Sequence, residues 1–539
     1  MAFEIVERDL LARIGRLKTK SGSFETPALL PVINTRVQRI PPTEIYNNFG
    51  YKAVITNAYL LKKHFEDELL KLDVHQFLNF PGIIMTDSGA YQILRYGRVN
   101  VGPIEIANFQ EKINTDIAVI LDVPTGWKAS RSYAEWTVNE TIERASKTME
   151  SRQRKNILWV GPIQGGKYLD LVVYSAKKMS KFPFDIYALG SPTEVMEHYL
   201  FGTLLDMAMS AKVNLPPEKP LHLFGAGHPF MFSFVVALGY DLFDSASYAI
   251  YARENRYITE YGTIKLKDLN YFPCSCSVCK KYTPDIMREM IKVEREKLLA
   301  EHNLNICMAE ILRIKQAIHE GRLWELLEIR SRSHPSLLSA FKKFKKYQDY
   351  IERYSPSTKH HGIFIYGSTS LNRPEIVRYR RKILSDYEKP ERKKILLLLP
   401  YIKAKPLYAI QQYSKVKKIV ADFKDKSKLV HICMYTVPFG IIPPEIYDTY
   451  PLSQFETSKP FCKETVEYAI NIILQYVKLN DYSQVILHPD YSVLDEWIIE
   501  KMKQKIKLKL TTNLKETWSE KALKELRLTL QKIFRTKSN

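Results

Sequence analysis

Between residues 51 and 252, short apolar runs alternate with longer stretches whose apolar residues recur at helical spacing. The runs Ala53–Ile55, Gly82–Thr86, Ile117–Leu121, Ile157–Val160, Asp185–Leu189, Leu221–Phe224 and Asp241–Phe243 are too short for helices. They predict strands buried on both faces. Stretches such as Ser130–Arg152 and Pro192–Met209 predict helices between them. Strand–helix alternation implies a parallel sheet with crossover helices. Seven or eight such units within about 250 residues predict an α/β fold, a (β/α)8 barrel of the TIM type.

A helix-rich region follows from Pro284 to Phe344, and a Lys-rich passage ending SPSTKHH (355–361) marks a boundary. From Gly362 the pattern restarts, with Ile395–Leu399 and Leu429–Met434 as expected strands and Glu464–Val477 as an expected helix. The expected organisation is a barrel domain over 1–345, with an inserted metal-binding subdomain at about 271–305, and a linker over 346–361. A smaller α/β domain over 362–490 and a basic tail over 491–539 complete it. From Lys501 onward the tail holds 12 Lys and Arg against three acids, fitting either a nucleic-acid arm or a solvated end element. Within it, KMKQKIKLKL predicts a strand with one basic face and Trp518–Phe534 a helix.

Composition narrows the function. A hydrophobic content of 45% over 539 residues excludes global disorder. No apolar run reaches the length of a membrane span, and MAFEIVERDL lacks a basic start and apolar block, so a cytoplasmic protein is expected. A net charge of +21 points to a polyanionic partner, with a merely solvated basic surface as the alternative. Three of six cysteines crowd at Cys274, Cys276 and Cys279, a spacing for metal rather than for a disulfide scaffold. His302 follows on a helix-like stretch. Three thiolates and one imidazole would close a tetrahedral zinc site and make it structural, although spacing alone leaves the fourth ligand open.

In a barrel of this type, catalytic groups sit at the C-terminal ends of the strands. Asp87 (MTDSGAYQ), Asp122 (LDVPTG), Gln164 (GPIQGG), Gly190, Gly225 and Gly227 (FGAGHP) and Asp244 (DSASYA) occupy such places. A single Asp after a strand is readily a helix N-cap. The whole set on one rim instead suits chemistry at a sugar anomeric carbon, which uses a carboxylate nucleophile and a second carboxyl as acid/base. Asp and Gln can read a purine edge, and Tyr91 can stack on a purine face.

MTDSGAYQ, GPIQGG, HLFGAGHPFMF, DLFDSASYAIYA and YFPCSCSVC together resemble archaeal tRNA-guanine transglycosylases, as does the opening RIGRLKTKSGSFETPALLPVIN. The similarity is dense over residues 3–335 and thinner over 360–455. The resemblance implies exchange of a D-arm guanine in tRNA for 7-cyano-7-deazaguanine, on the way to archaeosine. It implies Asp244 as the nucleophile at the ribose anomeric carbon, and Asp87 as the carboxyl that moves protons and holds ribose or base. Ser88 would donate a hydrogen bond, Tyr91 would stack, and Asp122, Gln164 and the Gly190 backbone would read the heterocycle. Cys274, Cys276, Cys279 and His302 would hold one structural Zn2+ per chain. Implied partners are tRNA, guanine and the deazaguanine, and a second copy of the chain in a homodimer. Many archaeal members carry a C-terminal RNA-binding module of the PUA type and none is evident here, which leaves three alternatives: the module is absent, a separate RNA-binding protein supplies it, or the basic tail substitutes for it.

After Gly190 the chain reads SPTEVME, where the family more often has a small apolar run. Archaeosine synthase, a paralogue acting on the inserted base, carries a Pro-Cys pair before Lys-Pro-Tyr. Here LPYIKAKPLYAI places Tyr401 at the cysteine position and Leu407 between Pro406 and Tyr408, which favours base exchange. A non-catalytic tRNA-binding subunit would lack the nucleophile, and Asp244 is present. A hydrolase of free nucleosides would need no basic tail.

Overall fold

The computed structural model describes residues 2–92 and 100–536. The chain divides into two compact units, one reaching Tyr347 and including Tyr354–Pro356, the other made of Gln348–Arg353 and the chain from Ser357 onward. Among the described residues, no helix is long and apolar enough to cross a membrane.

The first unit opens with an antiparallel sheet of β1 (Phe3–Asp9), β2 (Ala12–Thr19) and β3 (Gly22–Thr26). Eight parallel strands then close a barrel: β4 (Ala28–Ile33), β5 (Ala53–Asn57), β6 (Ile83–Asp87), β7 (Ile117–Val119), β8 (Leu158–Ile163), β9 (Ile186–Leu189), β10 (Leu221–Leu223) and β11 (Leu242–Ser245). Chain order is kept around the ring, and β11 pairs with β4 to close it. This is the predicted TIM-type architecture, with helices in the connections between strands.

The apolar interior of the barrel is filled by alternate residues of every strand but β10, among them Leu30, Ala53, Ile55, Ile83, Met85, Ile117, Val119, Val160, Ile186, Ala188 and Leu242. Ala53, Ile83, Ile117, Ile186 and Leu242 are the first residues of their strands. Phe3, Leu17 and Phe24 belong to the same cluster, so the β1–β3 sheet seals the N-terminal end of the barrel. Buried Arg13 supports that end by a paired contact with Asp241, whose carboxylate also accepts from the Leu221 N–H at 2.8 Å.

The predicted helix Ser130–Arg152 is found at Arg131–Ser151, with the Ser130 hydroxyl accepting from Tyr133 N–H as its cap. The single helix expected over Pro192–Met209 is instead two, Thr193–Glu197 and Phe201–Lys212. The break lies at Tyr199, which adopts a left-handed backbone (φ 55°) and stacks its ring on His334 at 4.5 Å. After β11 come the hairpin β12 (Arg256–Ile258) and β13 (Thr263–Lys265), then a helix over Lys292–His319.

The second unit is an α/β sheet. Its strands are β14 (Ile363–Ile365), β15 (Ile395–Pro400), β16 (Val430–Thr436), β17 (Gly440–Ile442), β18 (Phe455–Thr457), β19 (Gln484–Leu487) and β20 (Leu508–Leu510). Five of them form a sheet in the order β17-β16-β15-β19-β20, parallel except for β17, while β14 and β18 pair separately. The run KMKQKIKLKL splits between the end of a helix (Glu496–Lys503) and β20. Leu526, Leu530 and Ile533 of the helix Glu520–Thr536 pack into the same core as β15 and β16.

Candidate active site and metal cluster

Strand parity places the polar groups. Side chains alternate across a strand, so residues two apart share a face. Ile83 and Met85 fill the barrel, which turns Asp87 inward at the end of β6. Leu242 does the same for Asp244 on β11, and Ala53 and Ile55 for Asn57 on β5. Asn57 and Asp87 are partners across the β5–β6 ladder, and the Asn57 amide reaches Asp87 Oδ2 at 3.4 Å. That oxygen also accepts from Gly89 N–H at 3.2 Å. Gly89 has φ of +90°, a conformation that permits the turn behind the carboxylate.

Asp122 does not follow from parity. β7 ends at Val119, and Asp122 lies in the irregular stretch beyond it. It is held by Gln164, which follows β8 and donates its Nε2–H to Asp122 Oδ2 at 2.5 Å. Gln164 Oε1 accepts from Thr125 N–H at 2.9 Å and from the Ser191 hydroxyl at 3.1 Å. Gly190 passes so close that an added Cβ would sit 2.2 Å from Gln164 Nε2. The SPTEVME segment therefore supplies part of the rim: Ser191 orients Gln164, and Glu194 accepts from Trp127 N–H in the loop beyond β7 at 2.6 Å.

Asp87 feels both of the other carboxylates. Burial, then the charges of Asp122 and Asp244, push the Asp87 carboxyl up to about 7. Burial raises Asp122 to about 6, against the Gln164 hydrogen bond that favours its ionised form. One acid poised near neutrality beside others is the arrangement expected where a proton is moved. Asp244 Oδ1 is gripped by His222 Nε2 at 2.9 Å and by Gly225 N–H at 3.1 Å. Gly225 has φ of +75°, so its N–H can face the strand-end carboxylate without strain. Ser88 is fully buried, and among the described residues its hydroxyl has no partner. Tyr91 is 44% exposed and borders residues 93–99, which lie outside the described residues. Asn57, Thr125, Ser191 and His222 were absent from the sequence-based set. For Asn57 and His222 the available signal was a polar residue on the inward face of an apolar strand.

The cysteine cluster assembles with His302. The ligand atoms of Cys274, Cys276, Cys279 and His302 all lie within 4.8 Å of one another. A tetrahedral ion with bonds of about 2.0–2.3 Å separates its ligands by about 3.3–3.8 Å. His302 Nδ1 stands 3.4 Å from Cys279 Sγ and 3.6 Å from Cys276 Sγ. Its Nε2 lies 2.9 Å from the Ile258 carbonyl, which can only accept, so Nε2 carries the proton and Nδ1 offers its lone pair to the cluster. Tyr257 stacks on the imidazole at 3.6 Å, and its hydroxyl is 3.3 Å from Cys279 Sγ. The donor set and its geometry fit a metal ion.

Fold and site together define an enzyme of the parallel β/α barrel class with a carboxylate-rich mouth and a Cys3His metal-binding cluster. Residues 9–336 match the family model described as queuine tRNA-ribosyltransferase, and residues 376–530 match one described only as a domain of unknown function (DUF5591). A tRNA-guanine(15) transglycosylase of Saccharolobus solfataricus is 44% identical over 492 residues, covering 90% of this chain and 96% of that protein. The protein of the same name from Pyrobaculum aerophilum is 42% identical, covering 90% and 95%. That from Methanocaldococcus jannaschii is 41% identical, covering 86% of this chain and 69% of the relative. The chain belongs to the tRNA-guanine transglycosylase family, pentosyltransferases that exchange guanine in tRNA.

Proposed function

We propose that this enzyme replaces a D-arm guanine of tRNA, position 15 as in the names of its relatives, with 7-cyano-7-deazaguanine in archaeosine formation. The observation that carries the reading is the cluster of three acids at the barrel mouth, one of them poised near neutral pH. Basic surface draws in the tRNA. Unstacking the target nucleotide costs a few kcal/mol and is offset by contacts in the pocket. Asp244 attacks C1′, the C1′–N9 bond breaks, and its electron pair leaves with guanine, which takes a proton from Asp87. The incoming deazaguanine returns a proton to Asp87, its N9 attacks C1′, and the Asp244 ester is released. Two inversions give net retention.

Asp122, Gln164 and the Gly190 backbone read the heterocycle. Ser88 supplies its unpartnered hydroxyl to the substrate, and Tyr91 stacks on the base. The four-ligand Cys274, Cys276, Cys279 and His302 site holds one zinc ion and leaves no open position, so the ion's role is structural. We place the enzyme in the cytoplasm, as a homodimer, with a separate RNA-binding protein of the PUA type assisting tRNA capture. The test is release of labelled guanine from unmodified tRNA with and without 7-cyano-7-deazaguanine, for the wild-type chain and Asp244→Asn. Exchange at position 15 that vanishes in the variant supports the reading, whereas exchange that survives Asp244→Asn rules out Asp244 as the nucleophile.

A further inference from the structure

The Asp244 carboxylate is held asymmetrically. Oδ1 takes both His222 Nε2 and Gly225 N–H, while among the described residues no hydrogen bond is recorded for Oδ2. His222 is fully buried on β10, where register sets it beside Leu242, two residues before Asp244 on the same face. Its ring lies 4.8 Å from that of Phe224, and among the described residues its Nδ1 has no hydrogen-bond partner. An ionised carboxylate only accepts hydrogen bonds, so the proton of the His222–Asp244 bond sits on Nε2.

We propose that His222 is the positioning residue of the nucleophile: with Gly225 it occupies Oδ1 and leaves Oδ2 as the atom that attacks the ribose. This inference rests on Asp244 being the nucleophile. When the ester forms through Oδ2, Oδ1 becomes the ester carbonyl oxygen and keeps both donors. When the incoming base attacks C1′, the C1′–Oδ2 bond breaks and its electron pair returns to the carboxylate. The two donors bind that charged form more strongly than the ester, so they favour release of the enzyme. His222 therefore both aims the attacking oxygen and assists the second half of the exchange.

The test compares His222→Gln with His222→Met. The Gln side chain can place an amide N–H where Nε2 lies, and Met fills similar space without a donor. The expected result for His222→Met is a kcat for guanine exchange lowered roughly ten- to hundredfold. KM for tRNA and guanine should stay within about twofold, because no substrate contact is lost. His222→Gln is expected to recover most of kcat. A His222→Met enzyme with wild-type kcat, or a His222→Gln enzyme as slow as His222→Met, overturns the inference. If His222→Met does not fold, His222→Asn, whose shorter amide falls nearer the Nδ1 place, serves as the variant without the donor. Asp244→Asn run in parallel separates the two failures. Exchange by Asp244→Asn defeats the nucleophile reading, whereas an inert Asp244→Asn beside a fully active His222→Met defeats only the positioning role.

Discussion

Gly190→Ala tests how tightly the wall proposed to read the base is built. Gly190 is not among the residues with positive φ, so its backbone accepts alanine. The obstacle is a side chain: the new Cβ would lie 2.2 Å from Gln164 Nε2, 2.6 Å from its Cδ and 3.0 Å from its Oε1. No real carbon tolerates these contacts, so the Gln164 amide must swing away. It would then lose its bond to Asp122 and those from Thr125 N–H and Ser191. A hydrogen bond to an ionised group contributes about 1.5–3 kcal/mol and a neutral one about 0.5–1.5 kcal/mol, so the loss is about 2.5 kcal/mol at the low end. That corresponds to a roughly hundredfold fall in kcat/KM for the incoming base. Gln164→Ala removes the same bonds and also the atoms that clash. Adding Gly190→Ala to Gln164→Ala should then cost less than about threefold, giving a coupling of about 2 kcal/mol. The assay is steady-state incorporation of labelled guanine into unmodified tRNA by the four proteins. Additive losses, or a Gly190→Ala enzyme within about threefold of wild type, would refute the argument.

Asp87 should leave a mark on both rate and stability. An acid whose pKa is higher folded than unfolded binds its proton more tightly when folded. Stability is therefore full below the unfolded value of 3.8 and falls as pH rises toward about 7. Asp87→Asn should gain a few degrees of Tm over wild type at pH 8 and none at pH 4, read by thermal melts. With Asp87 as proton donor to the departing base, a single-turnover guanine release experiment should show the rate declining as pH rises through about 7. Elemental analysis should find one zinc per chain, reduced to none by Cys276→Ser, with a lowered Tm; a metal-free wild-type protein that melts like the holo form would refute the structural role. Asp241→Asn strips buried Arg13 of its charge partner at the sealed end of the barrel. It should cost about 3–5 kcal/mol in denaturant unfolding while KM for guanine stays unchanged.

Seven barrel strands were legible because each is an apolar run buried on both faces. The eighth was not. Ala28–Ile33 carries Pro31 in its middle, and a proline weighs against a strand in any reading of pattern alone. The β1–β3 sheet was hidden for another reason. FEIVERD intersperses charges among its apolar residues, and only the contact of Phe3 with the barrel interior reveals its role as a seal. At the mouth, the rule that chemistry follows the strands recovered Asp87, Asp122, Gln164 and Asp244 as site candidates. It passed over His222, which lies within β10 and reaches Asp244 from below, and Asn57, which ends β5 beside Asp87 but is not an acid. Nor could it foresee that Gly190 is constrained by Gln164 itself, since that depends on the packing of two neighbouring strand ends.

The helix that carries His302 is tied, one residue later, to the segment following Asp244. Asn303 donates to the Tyr248 carbonyl at 3.1 Å and accepts from Ile258 N–H at 2.9 Å. Tyr248 in turn donates its hydroxyl to the Val32 carbonyl on β4. The metal-binding cluster, the helix and the chain beyond Asp244 are thus linked by direct hydrogen bonds and are expected to open together. Their opening would be uncoupled from the wall that bears Asp122 and Gln164. Amide hydrogen exchange after metal removal should accordingly spread from residues 256–319 toward 247–253, leaving β7 and β8 as protected as before. The enzyme would lose the Asp244 half of its mouth while keeping the half that bears Asp122 and Gln164.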